Sequence, residues 1–260
     1  MLRDKCAVVT GSTSGIGLGV AQALAAQGAA VMLNGFGEPS QIEAMRRALS
    51  ERYDVPVAFH GADLATSDGP SELIAAAHEA LGSVDILVNN AGIQHVAPVE
   101  DFPIERWNAI IALNLSAVFL GMRAAIPHMR RRGWGRIINI ASAHGLVASV
   151  HKVAYVAAKH GVLGATKVAA LELANSGVTV NAICPGWVLT PLVEAQIAAR
   201  AEANGTSSLI ESEALLSEKQ PMLSFTRPDA IGALAQYLCS NDAATMTGAA
   251  LPIDGGWTAQ

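Results

Sequence analysis

The sequence predicts an α/β fold: one doubly wound parallel sheet of about seven strands, helices on both faces, and a helical insertion late in the chain. Three observations predict it. Apolar runs of strand length alternate with longer helical patterns from end to end. The first run, Cys6-Ala-Val-Val-Thr10, passes directly into a glycine turn, Gly11-Ser-Thr-Ser-Gly15-Ile-Gly17, and then a helix-like stretch from Leu18 to Gln27. No Pro/Gly/Ser-rich linker divides the 260 residues, so they form a single domain, 1–260.

The glycine turn lets the backbone fold sharply and brings a helix N-terminus, with its free amides and dipole, towards an anion such as a pyrophosphate. Its G-x-x-x-G-x-G spacing differs from the general G-x-G-x-x-G dinucleotide pattern. A second strand, Ala30 to Asn34, ends where such folds read the adenosine ribose, often with an acid. Here the stretch is Asn34-Gly35-Phe36-Gly37-Glu38, and no Lys or Arg occurs before Arg46 to receive a 2′-phosphate. NAD is therefore expected over NADP, with Asn34 and Phe36 as candidate contacts. A third strand, Pro56 to His60, leads to Asp63-Leu64, where Asp63 either bonds adenine or caps the next helix.

Val84 to Val88 is a fourth strand, running into Asn89-Asn90-Ala91-Gly92, small and amide residues that let a ligand lie against backbone. A long helix from about Ile104 to Arg131 places Asn114 among Ile110, Ile111, Leu113, Leu115, Val118 and Phe119, so Asn114 is a core polar anchor or part of an active-site network. Arg130-Arg131-Arg132 ends it as a solvated terminus. The run Arg136 to Ala141 is a buried strand with Ser142 at its carboxyl end, where open α/β folds bind ligands. A helix over 152–172 sets Tyr155 and Lys159 at i and i+4 on one face. A nearby ammonium favours phenolate, so Lys159 is expected to lower the pKa of Tyr155 and make it a usable base.

A sixth strand, Val178 to Cys184, ends in Pro185-Gly186-Trp187-Val188-Leu189-Thr190-Pro191. Residues 192–220 then break the pattern with two helical stretches around Asn204-Gly205. Within 189–222 they form a substrate lid or a plain helical hairpin. A helix from Pro228 to Ser240 and a last strand, Ala249 to Ile253, precede Asp254-Gly255-Gly256-Trp257.

Composition excludes several function classes. A net charge of −5 and a pI of about 5.8 offer no attraction for nucleic acid or an anionic membrane. No run approaches the roughly 18 consecutive apolar residues of a membrane span, and the N-terminus lacks a signal-peptide core. Cys6, Cys184 and Cys239 are dispersed in apolar surroundings, as in a reducing cytoplasm. No His/Cys spacing suits a metal. With 51% hydrophobic and 15% charged residues, part of the apolar surface is expected to meet another subunit.

Taken together, Thr10-Gly11-x-x-x-Gly15-Ile-Gly17, Asp63, Asn89-Asn90-Ala91-Gly92, Asn114, Ser142, Tyr155-x-x-x-Lys159 and Pro185-Gly186 resemble, in order and spacing, the short-chain dehydrogenase/reductase family, with its single-domain Rossmann-type sheet. The resemblance implies that Tyr155 is the general acid/base and that Lys159 lowers its pKa and bonds the nicotinamide ribose. It further implies that Ser142 holds the reacting oxygen and that Asn114 supports a water relay. It implies NAD contacts at Gly11, Thr13, Gly15, Ile16, Asn34, Phe36, Asp63, Leu64, Asn90, Ala91, Gly92, Tyr155, Lys159, Pro185, Gly186, Val188 and Thr190. The departure lies at Asn34 to Phe36, where the ribose-reading acid is missing.

Within the family, the chain is most similar to members that interconvert (R)-3-hydroxybutyrate and acetoacetate, through Gln94, His144, Lys152, Trp187, Gln196 and Gly255-Gly256-Trp257. These, with Ser142 and Tyr155, are the candidate substrate contacts. A cation and several amide or imidazole donors suit a small carboxylate, since a buried carboxylate needs charge-assisted hydrogen bonds to offset lost hydration. The alternatives are reduction of another small 3-oxo acid or acyl thioester, and a nucleotide-binding sensor without turnover. The resemblance also implies a homotetramer with a C-terminal tail reaching a neighbour.

Overall fold

The computed structural model describes residues 2–260. Seven strands form one parallel sheet: β1 (Cys6–Val9), β2 (Ala30–Leu33), β3 (Val57–Phe59), β4 (Ile86–Asn89), β5 (Gly135–Ile140), β6 (Val178–Pro185) and β7 (Ala250–Ile253). Their order is β3-β2-β1-β4-β5-β6-β7. A parallel sheet wrapped by crossover helices is covered on both faces. The strands are accordingly continuous apolar runs, with every residue of β1, β4, β5 and β6 buried.

The strand order reverses at β1, which pairs with both β2 and β4. This is the switch point at which chains leaving neighbouring strands diverge and open a crevice above their carboxyl ends. On one face of the sheet α1 (Gly15–Ala26) packs with α9 (Pro228–Leu238), and their close approach needs glycine. A Cβ on Gly19 would lie 2.7 Å from the Pro228 carbonyl oxygen, and one on Gly232 the same distance from that of Gly19. The other face carries α3 (Gly69–Leu81), α5 (Ala117–Arg132) and α6 (Val153–Leu173) over a core that includes Leu73, Met129, Ile137 and Leu173. Between β2 and β3 runs α2 (Pro39–Tyr53).

The long helix expected from Ile104 is broken internally. It comprises α4 (Ile104–Ile111), a π-helical turn over Ala112–Ser116, and α5. A π-turn inserts one residue into the helical repeat and re-aims the next stretch of helix. Asn114, wholly buried, sits in it. Ile104–Arg132 is long and apolar enough to cross a membrane by composition, but the fold explains its character, since Val118, Met122, Ala125 and Met129 are buried in the core.

The insertion after β6 is a helical pair, α7 (Pro191–Asn204) and α8 (Ser208–Ser217), with Gly205 in the left-handed region at φ 64 closing the first. Arg200 bridges Glu211 and Glu218, and Glu211 also accepts from Asn204 and Thr206, so the two helices are stitched into one unit.

Candidate active site

The crevice above β1, β4, β5 and β6 is a cavity of about 550 Å³. It collects most of the residues singled out from the sequence. Gly11, Thr13, Gly15, Ile16, Asn34, Phe36 and Leu64 line one end; Asn90, Ala91, Gly92, Pro185, Gly186, Val188 and Thr190 line the middle. Gln94, Ser142, His144, Lys152, Tyr155, Lys159, Trp187 and Trp257 line the other end. Three residues are not among the lining: Asp63, Asn114 and Gln196.

The glycine end is held by its own hydrogen bonds. Thr10 Oγ1 accepts the backbone N–H groups of Asn90 and Ala91 at 2.8 and 3.0 Å, and Asn90 Nδ2 returns two bonds to the carbonyls of Thr10 and Gly11. A Cβ on Gly17 would press on the Gly11 carbonyl and on Asn90 Nδ2, so only glycine fits that position. At the head of α1, Ser14 makes no side-chain cap. The first-turn amides are thus left to an anion, and a pyrophosphate fits this donor set.

Asn34 takes a different part from the expected one. Its amide is already committed: Nδ2 donates to the carbonyls of His60 and Ala62, and Oδ1 accepts from Gly11 N–H. It ties β2 to the glycine loop and the loop after β3, with no donor left to read a ribose. Phe36 is 71% exposed at the cavity mouth. Its carbonyl accepts from Thr13 Oγ1. Asp63 accepts from Ala65 N–H within its own turn, short of α3, whose first amide at Gly69 is taken by Thr66 Oγ1, so Asp63 neither caps that helix nor lines the cavity. The first cation after β2, Arg46, is tied to Glu43 and to the Val57 carbonyl, away from this end.

At the other end β5 delivers Ser142 in extended backbone, and α6 brings Tyr155 and Lys159 to face it. Lys159 Nζ donates to the Ile140 carbonyl at 2.8 Å and lies 5.6 Å from the Tyr155 ring centre. Burial drives the Lys159 pKa down to about 8. The Tyr155 phenol is raised, because burial outweighs the hydrogen bond from Ser142 that opposes it. The lowering expected from Lys159 is thus not the net effect in this structure: loss of hydration costs the phenolate more than its neighbours return.

Asn114 is an anchor. Its amide makes a reciprocal pair with the backbone of Ile93, Oδ1 accepting the N–H at 2.9 Å and Nδ2 donating to the carbonyl at 2.8 Å. The π-turn thereby fixes the loop that carries Gln94.

Around the catalytic end stand His144, Lys152, Trp187 and Trp257. The His144 ring meets Tyr155 and Trp257 edge-on at 5.8 and 4.9 Å, and Trp187 stacks on Trp257. Lys152 sits at the head of α6 with Nζ 5.5 Å from the Trp187 ring centre and no ion-pair partner among the described residues. Burial lowers its pKa. His151, just before it, has φ 63, a turn that swings Lys152 out of line with the loop. Gln196 lies on α7, half-buried and away from this wall.

Residue spacing did not reveal Gln220. Almost fully buried, it accepts from Trp187 N–H and donates to the carbonyls of Met222 and Ser224, binding the end of the helical pair to the indole wall. Its sequence signal is faint, a lone amide before Pro221 beside glycines at 186 and 255 that leave it room.

Such an arrangement has room and free amides for a dinucleotide along the glycine end and sets a phenol beside a hydroxyl and an ammonium at the other. Residues 5–201 match the model of the short chain dehydrogenase family. The chain is 54% identical over 260 residues to D-beta-hydroxybutyrate dehydrogenase of Cupriavidus necator, covering all of both chains. It is 52% identical over 257 residues to the Rhizobium meliloti protein of the same name, covering 98% of this chain and 99% of that one. Among solved structures it resembles L-sorbose reductase from Gluconobacter frateurii, complexed with NADPH and L-sorbose. That match has a TM-score of 0.94 at 30% identity and covers 98% of this chain and 97% of that one.

Proposed function

The chain belongs to the short-chain dehydrogenase/reductase family, and from that premise we propose that this oxidoreductase interconverts (R)-3-hydroxybutyrate and acetoacetate with NAD. The observation that carries the substrate is Lys152, a cation with no ion-pair partner among the described residues, on the wall beside Tyr155 and Ser142. A small carboxylate supplies the missing charge. The identity to the two hydroxybutyrate dehydrogenases over full length supports the same substrate. NAD is supported by the absence, among the described residues, of any cation lining the ribose end; the first one after β2, Arg46, is tied to Glu43 and the Val57 carbonyl away from it.

When bound, NAD supplies the hydride acceptor. Gly11, Thr13, Gly15, Ile16 and Gly92 hold it by backbone, while Phe36 and Leu64 flank the adenosine end. Asn90, Ala91, Pro185, Gly186, Val188 and Thr190 shape the floor. Lys152 and Gln94 bind the substrate carboxylate; His144, expected beside them, has its ring nitrogens near Ser142 and Ser149 and forms the pocket wall with Trp187 and Trp257. Ser142 donates to the reacting oxygen, and the Tyr155 phenolate takes the hydroxyl proton during oxidation. The positive charge of Lys159 acts against the burial that raises Tyr155. Asn114, through Ile93, keeps the path from the site to solvent open for the released proton.

Residues 189–222 act as a lid: α7 and α8, joined through Arg200, move together, and closure carries Gln196 to the carboxylate and excludes water. Phe119, Val168 and Leu171, exposed on α5 and α6, are read as subunit contacts of a homotetramer. The three free, buried cysteines suit a cytoplasmic enzyme.

The test is an absorbance assay for reduced nicotinamide over a panel of hydroxy acids, with NAD and NADP in parallel. The highest kcat/KM with (R)-3-hydroxybutyrate and NAD is expected. A higher value for a longer 3-hydroxy acid or an acyl thioester would overturn the substrate, and no turnover with any would overturn catalysis.

A further inference from the structure

Ser149 belongs to none of the motifs above. It lies on the loop between Ser142 and α6, and its Oγ is 2.9 Å from Nε2 of His144. The other ring nitrogen, Nδ1, is 3.4 Å from Ser142 Oγ, which also accepts the backbone N–H of His144 at 3.1 Å. Edge-on contacts with Tyr155 and Trp257 fix the ring in this plane. A row of polar groups therefore runs from Ser149 through His144 and Ser142 to Tyr155.

The protons in that row are few. Each hydroxyl carries one, and the imidazole carries one, since burial first and the Lys152 charge second hold His144 down to about 4. Two arrangements satisfy both ring nitrogens. In the first, Nε2–H donates to Ser149 and the Ser142 proton turns onto Nδ1, leaving Ser142 nothing to give the reacting oxygen. In the second, the Ser149 hydroxyl donates to Nε2 and Nδ1–H donates to Ser142. The Ser142 oxygen then accepts twice, from the ring and from the backbone of His144, and its proton is free to point at Tyr155 and the oxygen bound there. Only the second arrangement leaves Ser142 a proton to donate to a phenolate at Tyr155 or to the reacting oxygen.

We propose that Ser149 is a positioning residue that fixes the Nδ1–H tautomer of His144 and so aims the Ser142 hydroxyl at the reacting oxygen. The tautomer holds whatever the substrate; its kinetic consequence rests on the oxidoreductase reading. This role also occupies both ring nitrogens of His144, which makes His144 a wall of the pocket and not a donor to the carboxylate.

The test uses full-length enzyme with ¹⁵N-labelled histidine, assigned against His144→Asn. Without substrate, ¹⁵N spectra should show Nδ1 protonated and Nε2 bare at neutral pH. Ser149→Ala should lose that preference and lower kcat about tenfold on the best hydroxy acid of the panel, with NADH affinity unchanged, and Ser149→Thr should restore both. A protonated Nε2 in the wild-type protein would overturn the proposal, as would a Ser149→Ala variant with unaltered kcat. The spectrum needs no substrate, so a wrong substrate assignment leaves this test standing.

Discussion

The two ends of the crevice use polar side chains in opposite ways. At the glycine end, Thr10, Asn34 and Asn90 spend their hydrogen bonds on the protein's own backbone, fixing the loop against which a cofactor lies. At the catalytic end, Lys152 has no ion-pair partner among the described residues, and Tyr155 and Lys159 line the cavity with pKa values displaced by burial. One end recognises by shape and backbone; the other holds chemical groups in a costly environment. Side-chain changes at the first end should therefore damage fold and cofactor binding together, whereas changes at the second should damage kinetics far more than fold.

The sharpest way to break this contrast is Gly17→Ala. Its methyl would meet the Gly11 carbonyl and Asn90 Nδ2, backbone and a committed amide that have little room to move. NADH binding by fluorescence titration should be lost, with a loss of about 2 kcal/mol in stability. Retained NADH affinity would show that the loop is less rigid than its hydrogen bonds require. Next in size is Lys152→Ala, which should raise KM for the hydroxy acid by about 10–100-fold, leaving NADH affinity and the melting temperature nearly unchanged. An unchanged KM would remove Lys152 from the carboxylate site.

A smaller effect separates the ends by pH. The folded-state pKa of His144, about 4, lies below the ordinary imidazole value of 6.5. Between these values the unfolded chain holds a proton that the folded one does not, so stability should fall as pH drops from 6.5 to 4. His144→Asn should flatten the slope in denaturant titrations by about one proton. If the slope is unaltered, the ring is not held neutral.

The contrast also explains what the sequence could disclose. Strand positions and the long helix are legible because burial on both sheet faces writes them as unbroken apolar runs, and the glycine turn because its backbone demands are strict. Ser142, Tyr155 and Lys159 are legible because strand-end and i, i+4 geometry place them, and the ordered set of motifs around them singles them out. Asn34 is not: a sequence shows where an amide stands but not whether distant carbonyls, here those of His60 and Ala62, have already claimed it. The π-turn at Ala112–Ser116 is hidden in a similar way, since it carries Asn114 to Ile93, a contact between distant segments that local propensity does not report. The raised pKa of Tyr155 depends on burial, which spacing does not report.

The most direct test of Tyr155 as the proton-transfer residue is oxidation of (R)-3-hydroxybutyrate by wild-type enzyme and Tyr155→Phe, with NADH affinity measured on both. The expected result is a fall in kcat of about 10²–10⁴-fold with NADH affinity intact, the cost of losing a general base while keeping the ring. Turnover by Tyr155→Phe within a few-fold of wild type would contradict it.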